Sequence, residues 1–294
     1  MTDVLELDVP QREPKPCEEE SPAAPAPKYV QRFDRFDRTL HGFLMVSFLG
    51  LASTGMPLLF SEAGWAARMA RALGGFASTH RLHRLFAAIM ILVFLTHLLR
   101  LIERVAVLRD YGIFWGPRSM VPQPKDLIEL FQHVRWFVGL GPRPLFDRYT
   151  YWEKFDYWAV FWGMAIIGGS GLLLWFPETF ARVLPGWVFN IALLVHGEEA
   201  LLAVGFIFTI HFFNGHLRPE KFPMDLVIFT GRVSEAELRE ERPAEYARMV
   251  AGGLHDAGAP SRRSWMIGRL VGTTAVVVGL SIVGLIVYAI VSQG

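Results

Sequence analysis

The stretch Trp187–His216 constrains the fold most strongly, because it is long and apolar enough to cross a bilayer as a helix and yet contains two histidines. A membrane-spanning helix needs about 20 mostly apolar residues, and ionisable residues inside such a helix are costly and usually functional. His196 and His211 are about four helical turns apart, so both imidazoles lie on roughly one face, about 22 Å apart along the axis. One metal ion cannot bridge that distance. The spacing therefore predicts two cofactors, one near each membrane surface.

A second stretch, Arg81–Glu103, repeats this pattern with His83 and His97. These two histidines are again about four turns apart on one helix face. Two membrane helices with matching histidine pairs favour haem held between the helices, with each iron bound by two imidazoles. A single intramembrane histidine would be explained equally well by a hydrogen bond to a neighbour, so the haem interpretation depends on the paired spacing.

The composition is that of a polytopic membrane protein, since 52% of the 294 residues are hydrophobic and the mean hydropathy is +0.31. The net charge of +1 gives no indication of a nucleic-acid partner. The single cysteine, Cys17, excludes an internal disulfide, and the lack of a C-x-x-C-H motif excludes covalently attached haem. Any haem is therefore of the non-covalent b type, and iron–sulfur chemistry must come from a partner.

Five apolar segments predict an all-α fold, a polytopic membrane helical bundle with about five transmembrane helices. The predicted spans are 40–60, 82–102, 157–176, 187–216 and 265–291. Residues 1–27 are rich in Pro and Glu and predict a disordered N-terminal tail, and no cleavable signal peptide is expected. Residues 28–250 would form a four-span dihaem domain, and 251–294 a linker and the fifth span. Gly268 and Gly272 at its start have the G-x-x-x-G spacing that is typical of helix packing.

The long loop Arg104–Lys154 is polar but rich in aromatic residues, which indicates that it packs at the membrane interface or on a partner. Its segment 126–140, DLIELFQHVRWFVGL, has helical apolar spacing and predicts an amphipathic surface helix. His80 and His133 lie outside the predicted spans and are expected to be solvated.

Lysine and arginine concentrate before the first span, after the second and after the fourth. Five spans place these three regions on one side of the membrane. The positive-inside rule makes that side cytoplasmic, so the N-terminus is cytoplasmic and the C-terminus periplasmic. Spans two and four then run in the same direction, so His83 is level with His196 near the outer surface and His97 with His211 near the inner surface. His41, at the start of span one, is also at the inner level.

Several sequence blocks carry a family resemblance: DRTLHGF followed by STGMPLLF, HRLHRLF, LLVHGEEA with the later IHFF, YWEKFDYWAVFWG, and FPMDLVIFTGR. Over about residues 30–250 the chain resembles the membrane cytochrome b subunits of formate dehydrogenases, nickel–iron hydrogenases and thiosulfate reductases. The resemblance implies two b haems that pass electrons between the quinone pool and a redox partner subunit, an iron–sulfur protein or a multihaem cytochrome c. It also implies a bacterial inner membrane, and an electron-transfer subunit that is not an enzyme alone.

The resemblance further implies that His83 and His196 hold the outer haem, and that His41 and His211 hold the inner haem. In one departure from the relatives, Gly42 follows the first-span histidine where they usually have Trp.

The inner haem has a second candidate ligand, His97. The four-turn spacing favours His97 and the family motif favours His41. We adopt His41, with His97 placed beside the haem or in a quinone site. His216 lies about 200° round a regular helix from His196 and is not expected to be a ligand.

Buried haem propionates need cationic or hydrogen-bonding partners unless they reach water. Arg38, Arg84 and Arg100 are near the required levels, although each is equally explained as an interfacial side chain that snorkels. Two other functions also fit intramembrane histidines: a metal transporter and a cofactor-free membrane anchor.

Overall fold

The computed structural model describes residues 28–293, which are mostly helical with one small two-stranded sheet. The predicted disordered tail, with Cys17, lies outside the described residues. The elements in chain order are β1 (Tyr29–Gln31), α1 (Arg35–Leu59), α2 (Gly64–Ala72), α3 (Phe76–Ala106), α4 (Pro124–Phe137), α5 (Tyr151–Trp175), α6 (Pro177–Phe180), α7 (Trp187–Leu217), α8 (Val227–Thr230), β2 (Arg232–Ser234), α9 (Glu235–Glu241), α10 (Pro243–Ala251) and α11 (Arg262–Gln293).

The predicted all-α class is confirmed, and five helices, α1, α3, α5, α7 and α11, are long and apolar enough to cross a membrane. Each corresponds to one predicted span. The third begins six residues earlier than predicted, because a capping box starts it at a polar sequence. The Thr150 hydroxyl accepts a hydrogen bond from the Glu153 N–H, and the Glu153 carboxylate accepts one from the Thr150 N–H at 2.8 Å. Such a cap satisfies first-turn N–H groups that would otherwise lack partners.

Two of the spans are not regular α-helices. Residues Met164–Gly168 of α5 form a π-helical turn, as do Ile207–His211 and Phe213–Leu217 of α7. π-Turns are rare and often mark functional sites. They also change the rotation per residue, so the angle predicted for His216 from a regular helix does not apply.

The apolar core lies where α1, α7 and α11 meet. Ala52 and Met56 from α1 and Phe208 and Phe212 from α7 are buried against residues of α11 that include Ile282. The fifth span is thus packed against the predicted four-span domain. Helix α3 lies along α1, and α5 lies along α7.

Gly268 and Gly272 do allow close packing, but their neighbours are the short helix α8 and the residues before it rather than another long helix. A Cβ atom at Gly268 would lie 2.7 Å from Phe229 Cβ, and one at Gly272 would lie 2.8 Å from Met224 Sδ. The small residues therefore accommodate the segment 224–229 that follows α7.

The three basic regions meet at one end of the bundle. Strand β1 pairs antiparallel with β2, which joins the N-terminal region to the region after α7. Glu245 is buried and forms ion pairs with Arg32 at 2.7 Å and with Arg148 at 3.0 Å. Because Arg148 lies in the loop after α3, these ion pairs connect that loop to the other two basic regions. The prediction that these regions share one side is confirmed, while the assignment of that side to the cytoplasm stays a prediction.

The predicted amphipathic helix is present as α4, with its polar side inward. Asp126 is buried and binds Lys154 of α5 at 2.8 Å, whereas large apolar side chains such as Phe131 are exposed. The prediction that His133 is solvated is wrong, because the residue is only 6% exposed and its ring stacks on the aromatic rings of α4 and α5. The Tyr151 hydroxyl lies 3.1 Å from His133 Nδ1.

Candidate functional site

His83 and His196 come together between α3 and α7. Their ring centroids are 6.3 Å apart, and the ring planes are nearly perpendicular, at 85°. A metal–imidazole bond is about 2 Å long, so two imidazoles on one iron have nitrogens about 4 Å apart and ring centres about 6 Å apart. The observed separation fits two axial ligands of a single iron.

The hydrogen bonds of this pair define which ring nitrogens are free. His196 Nδ1 lies 3.0 Å from the Ile167 carbonyl oxygen, which can only accept, so Nδ1 carries the proton. His83 Nδ1 lies 3.0 Å from the Thr54 hydroxyl, which already donates to the Gly50 carbonyl at 2.7 Å and therefore accepts from His83. Both rings thus keep the Nε2 lone pair for a metal, in the tautomer that outer hydrogen bonds impose on ligating histidines.

The π-turn of α5 supplies the acceptor for His196. Ile167 lies within Met164–Gly168, where the backbone hydrogen-bond register changes. Ser170, one turn later, adds its hydroxyl at 3.3 Å from His196 Nδ1.

Two glycines leave room for the imidazole rings. A Cβ atom at Gly55 of α1 would lie 3.0 Å from His83 Cε1, and one at Gly171 of α5 would lie 2.9 Å from His196 Cε1. The third span contains the glycine-rich stretch 168–171, Gly-Gly-Ser-Gly. At Gly171 the space accommodates the His196 ring.

At the other level, His211 of α7 binds Asp156 of α5. His211 Nδ1 lies 2.9 Å from Asp156 Oδ2, so the imidazole donates to the carboxylate and keeps Nε2 free. His41 of α1 lies close enough to His211 and His216 to interact with both electrostatically. A cavity of about 370 Å³ adjoins His41 at the polar end of α1. These three histidines therefore lie in the same part of the bundle, within electrostatic range of His41.

His97 is engaged elsewhere. Its Nε2 lies 2.9 Å from the Tyr157 hydroxyl of α5, and its ring packs edge-on against Tyr157 and Phe161. To bind iron through Nε2, His97 would have to give up this hydrogen bond.

The three predicted arginines have different surroundings. Arg38 lines the cavity beside His41 and donates to the Phe229 carbonyl, and its buried Nε has no partner among the described residues. Arg100 is paired with Glu103 at 2.7 Å on the surface of α3. Arg84 is exposed near His83, with its guanidinium over the ring of Trp175. Arg38 is thus the one of the three that combines burial with an unused donor.

Sequence reasoning missed the residues that hold the histidines in place. Four polar side chains bond an imidazole: Asp156, Tyr157, Thr54 and Ser170. The one signal in the sequence that could have identified them is a polar residue inside or beside an apolar segment. Their partners lie on other helices, so no spacing in the sequence could reveal the pairing.

Comparison with protein-family models and with curated proteins finds no match to this chain. Within residues 28–293, no group of three or more His, Cys, Asp or Glu side chains is arranged to hold a metal ion.

Proposed function

We propose that this chain is a membrane cytochrome that binds two b haems and transfers electrons between a redox partner subunit and quinone. The observation that carries the proposal is the pair His83 and His196. Their rings have the separation of two axial ligands on one iron, and their Nδ1 atoms are already hydrogen-bonded. Bound haem supplies one-electron chemistry at the iron.

The residues at the inner level support a second haem. His41 and His211 are on different helices within electrostatic range of each other, and His41 adjoins a cavity that Arg38 also lines. In this proposal His41 and His211 would hold the inner haem, and Arg38 would bind a propionate. His97 is not a ligand, because its Nε2 is bonded to Tyr157.

A metal transporter is less well supported by the outer pair. Zinc usually takes four protein ligands, or three and a water, whereas a haem provides four equatorial nitrogens and needs only two axial imidazoles. A cofactor-free anchor gives no reason to orient two imidazoles in this way while two glycines leave room beside them.

The His97–Tyr157 pair supports a quinone site. Both side chains are partly exposed, so a lipid-soluble molecule can reach them. A quinone carbonyl oxygen can only accept a hydrogen bond, so the Tyr157 hydroxyl could donate to it. The hydroxyl of a quinol could donate to His97 Nε2, so the pair offers a contact to each form of the headgroup beside aromatic rings. We propose that this pair positions quinone near the inner haem.

The redox partner would be an iron–sulfur protein or a multihaem cytochrome c, since this chain has a single cysteine and cannot build a thiolate-bound cluster. We propose a bacterial inner membrane, which the family resemblance implies, with a cytoplasmic N-terminus on the basis of the Lys and Arg distribution.

The proposal is tested on the purified, folded protein by a pyridine haemochrome assay and electron paramagnetic resonance. We expect about two b haems per chain, both low-spin with two axial imidazoles. A folded protein that is colourless after expression with sufficient haem would exclude the proposed function.

A further inference from the structure

The two candidate haem sites differ in what holds the histidine of α7. At the outer site His196 Nδ1 faces neutral acceptors, the Ile167 carbonyl and the Ser170 hydroxyl. At the inner site His211 Nδ1 faces the carboxylate of Asp156, 2.9 Å away. The same helix therefore presents two ligands with different hydrogen-bond partners.

Among the described residues, the carboxylate of Asp156 bonds only His211. The Asp156 side chain is 16% exposed, and its second oxygen, Oδ1, is buried without a hydrogen-bond partner among the described residues. A buried oxygen without a hydrogen-bond partner lowers the stability of the folded protein. The position of Asp156 is therefore not explained by a gain in folding stability. Buried groups of this kind are often retained for function.

A negative charge on this hydrogen bond has a defined effect on a haem ligand. A carboxylate acceptor pulls the Nδ1 proton and makes the imidazole a stronger electron donor to the metal. Stronger donation, together with the nearby negative charge, favours Fe(III), which carries one more positive charge than Fe(II). Both effects lower the reduction potential of the haem that His211 holds, and hydrogen bonding around the ligands is one of the protein's means of setting that potential.

We propose that Asp156 is a positioning residue that holds the His211 imidazole for the inner haem and sets that haem's reduction potential below that of the outer haem. The proposal rests on the haem function proposed above. Each haem iron would have two histidine ligands. Asp156 of α5 would make the reduction potentials of the two haems different. Electrons would then reside preferentially on the outer haem.

The test is a potentiometric titration of the full-length protein, followed at the absorbance of each haem. Asp156→Asn keeps a side chain of similar shape and an oxygen acceptor but removes the charge. We expect both haems to be retained and the inner haem's reduction equilibrium to shift at least tenfold toward Fe(II), about 59 mV for one electron. Ser170→Ala is the matched control, because it removes a neutral contact to His196 while the Ile167 carbonyl remains. It should leave the inner haem's potential unchanged.

The possible results separate this inference from the proposed function. If Asp156→Asn retains both haems with unchanged potentials, or shifts both equally, the role of Asp156 is wrong although the dihaem function stands. If the wild-type protein binds no haem, both proposals fail.

If Asp156→Asn loses the inner haem, Asp156→Glu decides, because it preserves the charge. An inner-haem potential close to that of the wild type supports the proposal, and a potential raised to that of the outer haem overturns it.

Discussion

Asp156 and Tyr157 are consecutive residues of α5, and their side chains bond imidazoles on two different helices. Asp156 binds His211 of α7, and Tyr157 binds His97 of α3. The start of α5 therefore lies between the two histidines that sequence spacing placed at one level. Each imidazole has its own partner, which supports separate roles for His97 and His211.

This separation yields a prediction about the inner haem. Replacing a ligand with Met should empty the site or change the potential of the iron, since the axial ligand is a main determinant of that potential. We expect His41→Met to have this effect, and His97→Met to leave the spectrum of two axial imidazoles intact and mainly slow the reaction with quinol. Potentiometric titration and stopped-flow oxidation of a quinol measure the two effects.

Tyr157→Phe is the matched variant for the quinone role of His97. It removes the hydroxyl that bonds His97 Nε2 but changes nothing at the proposed ligands. We expect slower quinol oxidation with unaltered haem content. If His97→Met loses the inner haem while His41→Met keeps it, the ligand assignment must be reversed.

The outer pair gives a second prediction. His83→Ala or His196→Ala should remove the outer haem and leave much of the inner one, because the two sites are about four helical turns apart. His80→Ala is a control on the same helix, three residues from His83 and exposed. It should retain both haems, as measured by pyridine haemochrome content per chain. Two haems in His196→Ala would contradict the assignment of the outer site.

The sequence predicted the spans and the meeting of His83 with His196, because both depend on periodicity that a regular helix preserves. It did not predict the surroundings of His216. His216 lies in the π-turn Phe213–Leu217, and a second π-turn, Ile207–His211, precedes it. The rotation of 100° per residue of a regular α-helix therefore does not apply to this part of α7. Local backbone pairing of this kind depends on contacts between helices, which a single sequence does not display.

His133 was mispredicted for a related reason. A histidine in a polar loop is usually solvated, but here α4 packs its polar side against α5. The loop folds back onto the bundle through aromatic residues that are distant in sequence. Propensity and local hydropathy carry no information about such a contact.

The burial of His133 predicts a pH dependence at the polar end. Burial, with the positive charges of Arg143 and Arg218 nearby, lowers the pKa of His133 below its usual value of about 6.5. When α4 opens, the imidazole regains its usual pKa and binds a proton more readily. The free energy of opening is therefore greatest above about pH 6.5 and falls as the pH drops below that value toward the lowered pKa. Hydrogen exchange of the α4 amides, corrected for intrinsic rates, should show more opening at pH 5.5 than at pH 7.5.

His133→Phe tests the origin of that effect. Phe preserves the stacking and loses the hydrogen bond to Tyr151, at a cost of about 1 kcal/mol. The variant should open more easily at neutral pH but lose most of the acid sensitivity. Glu129 lies on the same helix, and burial raises the pKa of its carboxyl group. Its contribution to the acid sensitivity is the same in both proteins, so it drops out of the comparison. If the variant is as acid-sensitive as the wild type, another group is responsible.

The last prediction concerns the space beside His196, the proposed ligand of the outer haem. Gly171→Ala should disturb the outer haem, because the added Cβ would lie 2.9 Å from His196 Cε1 and force the ring or the helix to move. Overpacking of this kind typically costs about 1–3 kcal/mol. Gly169→Ala is the matched control two residues away on the same helix, where a Cβ atom meets nothing within 4 Å. Both variants gain the same helix propensity, so a loss of outer-haem absorbance in Gly171→Ala alone would show that the glycine accommodates the ligand. Equal haem content in the two variants would mean that the His196 ring can shift without cost, and that Gly171 serves helix packing alone.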